Sequence, residues 1–252
     1  DKISTKIAGK IAGSLEKRLK KAYPKARKIE EEIREENEEK VFAKGCGFYK
    51  IVMLFMIGAF LGDITETLFC RVTAGVWMSR SSVVWGPFSI VWGLAIALVT
   101  ALLYKYKDKG DRFLFLTGTL LGGAYEYFCS VFTELVFGKV FWDYSKIPFN
   151  LGGRINQLYC FFWGIAAVVW FKILFPPVEK WIEKIPAVAG KILTWVLLGF
   201  MVCNILVSCV ALVRYDERGN GVQATNAVQK WADAHYDDAK MKKIYPNAKG
   251  IN

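Results

Sequence analysis

Residues 58–66 read GAFLGDITE and residues 118–126 read GTLLGGAYE, so the pattern G-x-x-L-G-x-x-x-E occurs twice, about sixty residues apart. Each copy lies in a long apolar stretch, and the next apolar stretch contains a Trp-Gly pair, Trp92-Gly93 or Trp163-Gly164. A carboxylate near the centre of a bilayer costs several kcal/mol and is retained mainly for pairing, transport or catalysis. The repeated pattern therefore predicts a duplicated two-helix unit with a polar site on its internal pseudo-symmetry axis.

The composition of the 252-residue chain is that of a membrane protein. Its hydrophobic fraction is 54%, whereas soluble domains contain about 45–50% apolar residues. Five apolar stretches reach the roughly 20 residues that are needed to cross a bilayer. They cover about 49–70, 86–104, 113–137, 156–175 and 191–213. We therefore predict an all-α bundle of about five transmembrane helices.

The chain divides into three parts by polarity. A charged arm over 1–44 is predicted to form an amphipathic helix. The transmembrane domain over 45–213 consists of repeat one (49–104), repeat two (113–175) and a fifth helix (191–213). A polar tail follows over 214–252. Between the fourth and fifth apolar stretches, Phe175-Pro176-Pro177 is predicted to end a helix, and Val178–Ile185 to form a short interfacial helix anchored by Trp181.

The formal net charge of +11 does not indicate nucleic-acid binding, because the basic residues flank the apolar stretches. Cytoplasmic loops of membrane proteins carry an excess of Lys and Arg. One set of loops contains Lys105, Lys107, Lys109, Arg112, Lys172, Lys180, Lys184 and Lys191, and the other contains Arg71, Arg80, Lys139, Lys146 and Arg154. With the Lys-rich arm added to the first set, we expect a multi-pass cell-membrane protein with a cytoplasmic N-terminus and an external C-terminus.

The glycines and glutamates of the repeated pattern share helical faces. Their i, i+4, i+8 spacing aligns Gly58 and Gly62 with Glu66, and it aligns Gly118 and Gly122 with Glu126 in the second copy. Glycine at this spacing lets helices in lipid approach closely. We predict that the glycines pack the two repeats against each other. Because packing needs no charge, the glutamates are expected in a polar pocket. If their role is only to be neutralised by an arginine, a polar pocket would still lie within the membrane.

The pocket is expected in the outer half of the bilayer. At 1.5 Å per residue, both glutamates come roughly 20–25 Å along their helices. The loop between the third and fourth stretches should emerge on that side as a structured lid, with Arg154 and Arg80 as counter-ions to the acids. The candidate pocket residues are Glu66, Glu126, Arg154, Arg80, Glu134, Asp143 and Asn150, with Asp63 as a further candidate.

No catalytic residue, cofactor or metal is predicted. The sequence has no G-x-x-x-x-G-K-[ST] loop for ATP phosphates. Acidic residues and one histidine cluster near the C-terminus, but a single histidine among surface acids is usually solvated; they are Asp233, His235, Asp237 and Asp238. The six cysteines form no C-x-x-C pair and are interpreted as packing residues.

Residues of about 50 to 175 resemble the CmpB-type "putative ABC-transporter type IV" membrane proteins of bacteria. In the first unit the resemblance is carried by Gly62, Glu66, Arg80, Gly86-Pro87 and Trp92-Gly93. In the second unit it is carried by Glu126-Tyr127, Glu134, the WDYS run at 142–145, the PFNL run at 148–151 and the GRI run at 153–155. The first unit departs from the family's pattern at two places. Arg80 lies between serines where the family favours Asn and Gly, and Ile90 stands where the family favours proline. The resemblance implies a permease whose ATPase would be a separate subunit.

Three functions remain open. The preferred hypothesis is a permease-like transport component in the lipid bilayer, with no nucleic-acid partner and with a homo-oligomer compatible with the sequence. The second is a membrane-embedded enzyme that acts on a lipid or lipid-linked substrate, in which paired carboxylates and an arginine supply acid, base and anion clamp. The third is a structural membrane partner in which the charged residues only stabilise the bundle.

Overall fold

The computed structural model describes residues 9–10, 12–15, 17–18, 41–246 and 249–250. These residues are mostly helical, and their strands are two residues long. The helices are α1 (Phe48–Ala74), α2 (Ile90–Leu103), α3 (Asp111–Phe137), α4 (Gln157–Val169), α5 (Phe175–Glu183), α6 (Ala187–Gly219), α7 (Ala227–His235) and α8 (Asp238–Ile244). The strands are β1 (Lys139–Val140), β2 (Asn150–Leu151), β3 (Ile155–Asn156) and β4 (Lys249–Gly250); β1 pairs with β4 and β2 with β3, both antiparallel.

The predicted helical membrane bundle is confirmed. In the described part of the chain, three helical segments are long and apolar enough to cross a membrane: Phe48–Ala74, Gln157–Glu183 and Ala187–Gly219. The segment Ile90–Tyr106 is apolar but shorter. Helix α3 has 27 residues, the same length as α1, and carries Glu126 and Glu134.

The bundle consists of two antiparallel helix pairs and one further long helix. Helices α1 and α2 form the first pair, α3 and α4 form the second, and α6 packs against α1. We call the end of the bundle where α1 begins the Lys50 end and the opposite end the Glu66 end. The loops 75–89 and 138–156 both lie at the Glu66 end. The segment 41–47 lies at the Lys50 end, and the chain after α6 continues at the Glu66 end.

One predicted helix end is wrong. The helix does not end at Phe175-Pro176-Pro177. Helix α4 continues through a π-helical segment, Trp170–Leu174, into α5. The N–H of Phe175 bonds to the carbonyl of Trp170, five residues back. The two prolines then occupy the first turn of α5, where proline's missing N–H costs little. The interfacial segment is thus a continuation of α4, with Trp181 68% exposed and Ile182 buried.

An ionic cluster holds α5 beneath the Lys50 end. The fully buried Lys50 side chain contacts Glu183 at 2.8 Å and Glu179 at 3.3 Å. Glu179 also accepts hydrogen bonds from Tyr104 at 3.0 Å and Lys107 at 3.2 Å. A buried lysine is tolerated when it is paired with acids. These bonds fix α5 against the start of α1 and against the residues that follow the end of α2. The main apolar core lies beside them, around Leu54, Leu114 and other buried residues.

The predicted N-terminal arm falls largely outside the described residues. Residues 9–10, 12–15 and 17–18 are helical and exposed. The Glu-rich stretch of the arm lies outside the residues that the structure describes. The domain boundaries of the sequence analysis stay predictions. Helix α6 continues past Val213 to Gly219, so the expected polar tail begins within a helix.

Candidate functional site

The pattern glycines lie at close helix crossings, but the sequence analysis assigned them the wrong partners. A Cβ placed on Gly62 would lie 2.1 Å from the Cβ of Trp92, and one on Gly122 would lie 2.3 Å from the Cβ of Trp163. The glycines at 58 and 118 face Ile96 and Ala167 respectively. In each case the neighbour belongs to the same helix pair as the glycine itself. The glycines therefore pack each pair internally and do not join one pair to the other.

The tryptophans of the Trp-Gly pairs join the two helix pairs instead. The rings of Trp92 and Trp163 lie 5.2 Å apart between centroids. The hydroxyl of Tyr125 donates a 2.7 Å hydrogen bond from α3 to the carbonyl of Val91 in α2. Tyr125 also meets Trp163 edge to face. An aromatic layer thus lies between the pairs, next to the repeated glutamates.

Glu66 is paired with an arginine from the first loop. The Nε of Arg80 lies 3.2 Å from a Glu66 carboxylate oxygen, and both side chains are partly exposed, Arg80 at 23% and Glu66 at 30%. Asp63 lies one helical turn earlier on α1 and is 5% exposed. The first pair therefore carries two acids and one cation within a short distance.

Glu126 is held by neutral donors. Tyr144 donates to one of its oxygens at 2.7 Å, and the indole N–H of Trp163 donates to the other at 3.0 Å. The residue is only 8% exposed, and its charge interacts with that of Glu66 across the two pairs. Sequence reasoning expected an arginine at this carboxylate. It missed Tyr144 and Trp163, although the WDYS run and the Trp-Gly pair that contain them were both recognised.

A second ion pair lies between α3 and its loop. Arg154 contacts Glu134 closely and donates to the Ser130 hydroxyl at 3.2 Å. The backbone carbonyl of Arg154 accepts a 3.0 Å hydrogen bond from Trp142. Of the two expected counter-ions, Arg80 therefore pairs with Glu66 and Arg154 with Glu134.

Asp143 and Asn150 make hydrogen bonds within the second loop. An Asp143 oxygen accepts the N–H of Ser145 at 2.8 Å. The Asn150 amide donates to the carbonyl of Ile147 at 2.7 Å and accepts the N–H of Gly153 at 2.9 Å. These bonds give the loop a fixed shape, and the loop in turn positions the Tyr144 hydroxyl on Glu126. The predicted pocket residues thus divide into those that carry charge and those that shape the loop.

The C-terminal helices cover the first loop. The hydroxyl of Tyr236 accepts a 2.8 Å hydrogen bond from the indole of Trp85, and the Tyr245 hydroxyl donates to the carbonyl of Ser82 at 3.1 Å. On α6, Asn204 accepts the N–H of Trp85 at 3.0 Å and donates to its carbonyl at 2.8 Å. Sequence reasoning missed this cover, because aromatic residues in a polar tail carry no periodic signal.

The acidic residues and histidine near the C-terminus have protein partners. Asp233 receives two parallel hydrogen bonds from Arg214, at 3.0 and 2.7 Å, and a third from Arg218 at 2.5 Å. The hydrogen bonds from Arg214 lower the pKa of Asp233 below its usual range. The remaining members either bond to the protein or cap a helix: Asp238 contacts Arg218, Asp237 caps α8, and a ring nitrogen of His235 contacts the Trp231 carbonyl.

Comparison with known protein families identifies a match. The model of the family described as "Putative ABC-transporter type IV" matches residues 53–209. This range contains most of α1, the whole of α2, α3 and α4, both loops and most of α6, and the match confirms the resemblance found in the sequence. No curated protein and no solved structure shows significant similarity to the chain.

Proposed function

Because the chain belongs to the family described as "Putative ABC-transporter type IV", we propose that it is a permease-like transport component. Its substrate or coupling ion would bind at the polar site around Glu66, Arg80 and Glu126. The observation that carries the proposal is Glu126, which is nearly buried in a membrane bundle and is held by two neutral donors. Ionisable residues inside membrane bundles mark substrate and ion pathways in general.

The charge of the site supports a transport role. Two neutral donors stabilise a carboxylate through hydrogen bonds but do not cancel its charge. Arg80 is already paired with Glu66, so the combined site keeps a negative charge when Glu126 is ionised. Such a site would favour a cationic substrate or a proton over an anion.

Equivalent contacts in the two helix pairs support a duplicated unit, which is common in transporters. Helices α1 and α3 both end on a glycine in the left-handed region, Gly75 at φ 71° and Gly138 at φ 59°. Gly93 approaches the Phe55 carbonyl in the first pair as Gly164 approaches the Phe115 carbonyl in the second. We infer that both pairs derive from one unit, with the site where they meet.

The second loop provides a means of access to the site. Tyr144 reaches Glu126 from this loop, and its ring stacks on Tyr159 at 4.7 Å. Movement of the loop would remove one donor from Glu126 and open the carboxylate to one side of the membrane. We propose that the loop acts as a lid in this sense.

We further propose that the Lys50 end faces the cytoplasm and receives a separate ATPase subunit, with the Glu66 end outside. The basic loops at the Lys50 end support this orientation through the positive-inside rule. Single cysteines at Lys109 and Lys146, in a variant without the six native cysteines, would test it with a membrane-impermeant maleimide on intact cells. Labelling at 146 and not at 109 is expected, and the reverse pattern would overturn the orientation.

The experiment for the function is purification of the tagged chain in mild detergent, with mass spectrometry of the proteins that accompany it. An ATPase subunit should co-purify with the wild type and with the Glu66→Gln, Glu126→Gln double variant, because both substitutions lie at the opposite end from the proposed ATPase contact. The double variant should nevertheless fail to complement a deletion strain. A folded double variant with full complementation would contradict the transport site and favour the structural hypothesis.

A further inference from the structure

Asp63 carries a buried oxygen atom that the proposed transport site does not yet explain. Its Oδ1 is buried and has no hydrogen-bond partner anywhere in the described part of the chain. The residue is 5% exposed and lies in the middle of α1, between the close approach at Gly62 and the paired Glu66. A buried ionised carboxylate without a partner is strongly disfavoured. The site therefore requires a cation, and a proton is the one that needs no further ligand.

Among the described residues, the charged side chains near Asp63 are one acid and one base, Glu66 and Arg80. Glu66 lies three residues later on the same helix, and Arg80 comes from the first loop and pairs with Glu66. On the neighbouring α2 and α6, the buried polar residues of this region are Ser89, Asn204 and Ser208, none of which titrates. Because Arg80 already pairs with Glu66, an ionised Asp63 would add an uncompensated negative charge to the bundle.

We propose that Asp63 holds an exchangeable proton and passes it to Glu66 when Arg80 changes partner. This inference rests on the proposed transport function and names its coupling ion. In the first state of this proposal Asp63 is a neutral acid, and Glu66 is a carboxylate paired with Arg80, the pairing that the structure shows. In the second state Arg80 pairs with Asp63. The O–H bond of Asp63 breaks, an O–H bond forms on Glu66, and the total charge of the three groups stays at zero.

The geometry gives the two acids different access to water. Asp63 is almost fully buried, whereas the Glu66 side chain is 30% exposed. Transfer from Asp63 to Glu66 therefore moves the proton from an enclosed to an accessible position. The reverse transfer, driven by the return of Arg80 to Glu66, reloads Asp63. A change of partner by one arginine is thus sufficient to couple loop movement to proton release.

Infrared difference spectroscopy of the purified full-length protein in lipid nanodiscs tests the proposal. At neutral pH the wild type should show a protonated carboxyl band. Asp63→Asn, which keeps the shape of the neutral acid, should lose that band. Glu66→Gln should also lose it, because Arg80 becomes available to Asp63 and the proton is released. Glu134→Gln, which also removes the partner of an arginine, is the matched control and should retain the band.

Two results would overturn the proton site: a wild type without the band, or an Asp63→Asn variant that retains it. Folding of each variant is checked by size-exclusion chromatography and circular dichroism. If Asp63→Asn does not fold, the Glu66→Gln spectrum decides, because a retained band there contradicts the exchange of Arg80. The measurement involves no transport, so a proton on Asp63 in a protein without transport activity would refute the proposed function and leave the site intact.

Discussion

The two helix pairs share their packing but differ in how each satisfies its glutamate. In both pairs a tryptophan one helix away lies against the second glycine of the pattern. In the first pair the glutamate binds Arg80 and is partly exposed, whereas in the second it binds Tyr144 and Trp163 and is nearly buried. Ion pairing suits a group near water, and neutral donors suit a group in a dry interior. The same residue at equivalent positions thus has two different environments.

The largest effect is expected where the pairs are most alike. Gly62→Leu and Gly122→Leu should each destabilise the bundle by about 3 kcal/mol, the upper end of the usual cost of overpacking, because even a Cβ would overlap Trp92 or Trp163. Thermal unfolding followed by fluorescence-detected chromatography measures the effect. Gly199→Leu on α6 is the control, since a Cβ there has open space around it. Equal melting temperatures for all three variants would show that the crossings are not as tight as described.

A smaller effect should separate the two glutamates. Glu126→Leu leaves the Tyr144 hydroxyl and the Trp163 N–H without an acceptor, which costs about 1–3 kcal/mol. Glu66→Leu should cost less, because Arg80 is partly exposed and can turn to water or to Asp63. The two melting temperatures, measured in the same detergent, check this order. If Glu66→Leu is the more damaging, the contrast between the two environments is wrong.

Acid should loosen the cover of the first loop. The pKa of Asp233 is lowered, first by hydrogen bonds from Arg214, so its stabilisation is present above the usual aspartate pKa of about 3.9 and is lost as pH falls through the lower folded value. Hydrogen exchange of residues 75–89 should therefore rise below about pH 4. Asp233→Asn should raise that exchange at neutral pH as well, and residues 150–156 in the second loop should change less. Unchanged hydrogen exchange over residues 75–89 in the variant would show that the C-terminal helices do not stabilise the first loop.

The smallest effect is expected at Arg80. Because the Arg80–Glu66 pair is partly exposed, Arg80→Gln should change stability by less than about 1 kcal/mol. Its effect on function should be much larger, since the site would lose the cation that pairs with Glu66. The comparison of melting temperature with complementation of a deletion strain measures both. A variant with a much lower melting temperature would assign Arg80 a mainly structural role.

The sequence predicts the helices of this fold better than the contacts among them. The G-x-x-L-G-x-x-x-E pattern locates α1, α3 and the glutamates, because glycine spacing and buried charge leave direct traces in a sequence. The helices that contact the glycines cannot be predicted in this way. A glycine indicates that another helix approaches closely, but it does not indicate which one. The prediction that Pro176 and Pro177 end a helix was wrong for a similar reason, because their effect depends on the π-helical turn before them.

Donors to the acids are harder to predict than the acids themselves. Arginine is the expected partner of a buried carboxylate, and it is found at Glu66 and Glu134. Tyr144 and Trp163 each have an ordinary explanation as loop or packing residues, so nothing in the sequence assigns them to Glu126. Only the fold of the second loop, shaped by Asp143 and Asn150, brings the Tyr144 hydroxyl to the carboxylate.

Complementation of a deletion strain by the Glu66→Gln, Glu126→Gln double variant tests the central claim most directly. Its membrane insertion and folding must equal those of the wild type, and the surface substitution Asp238→Asn is the control. We predict that the double variant inserts and folds but does not complement, whereas the control does. A folded double variant that complements as well as the wild type would contradict the claim that these two carboxylates form a transport site.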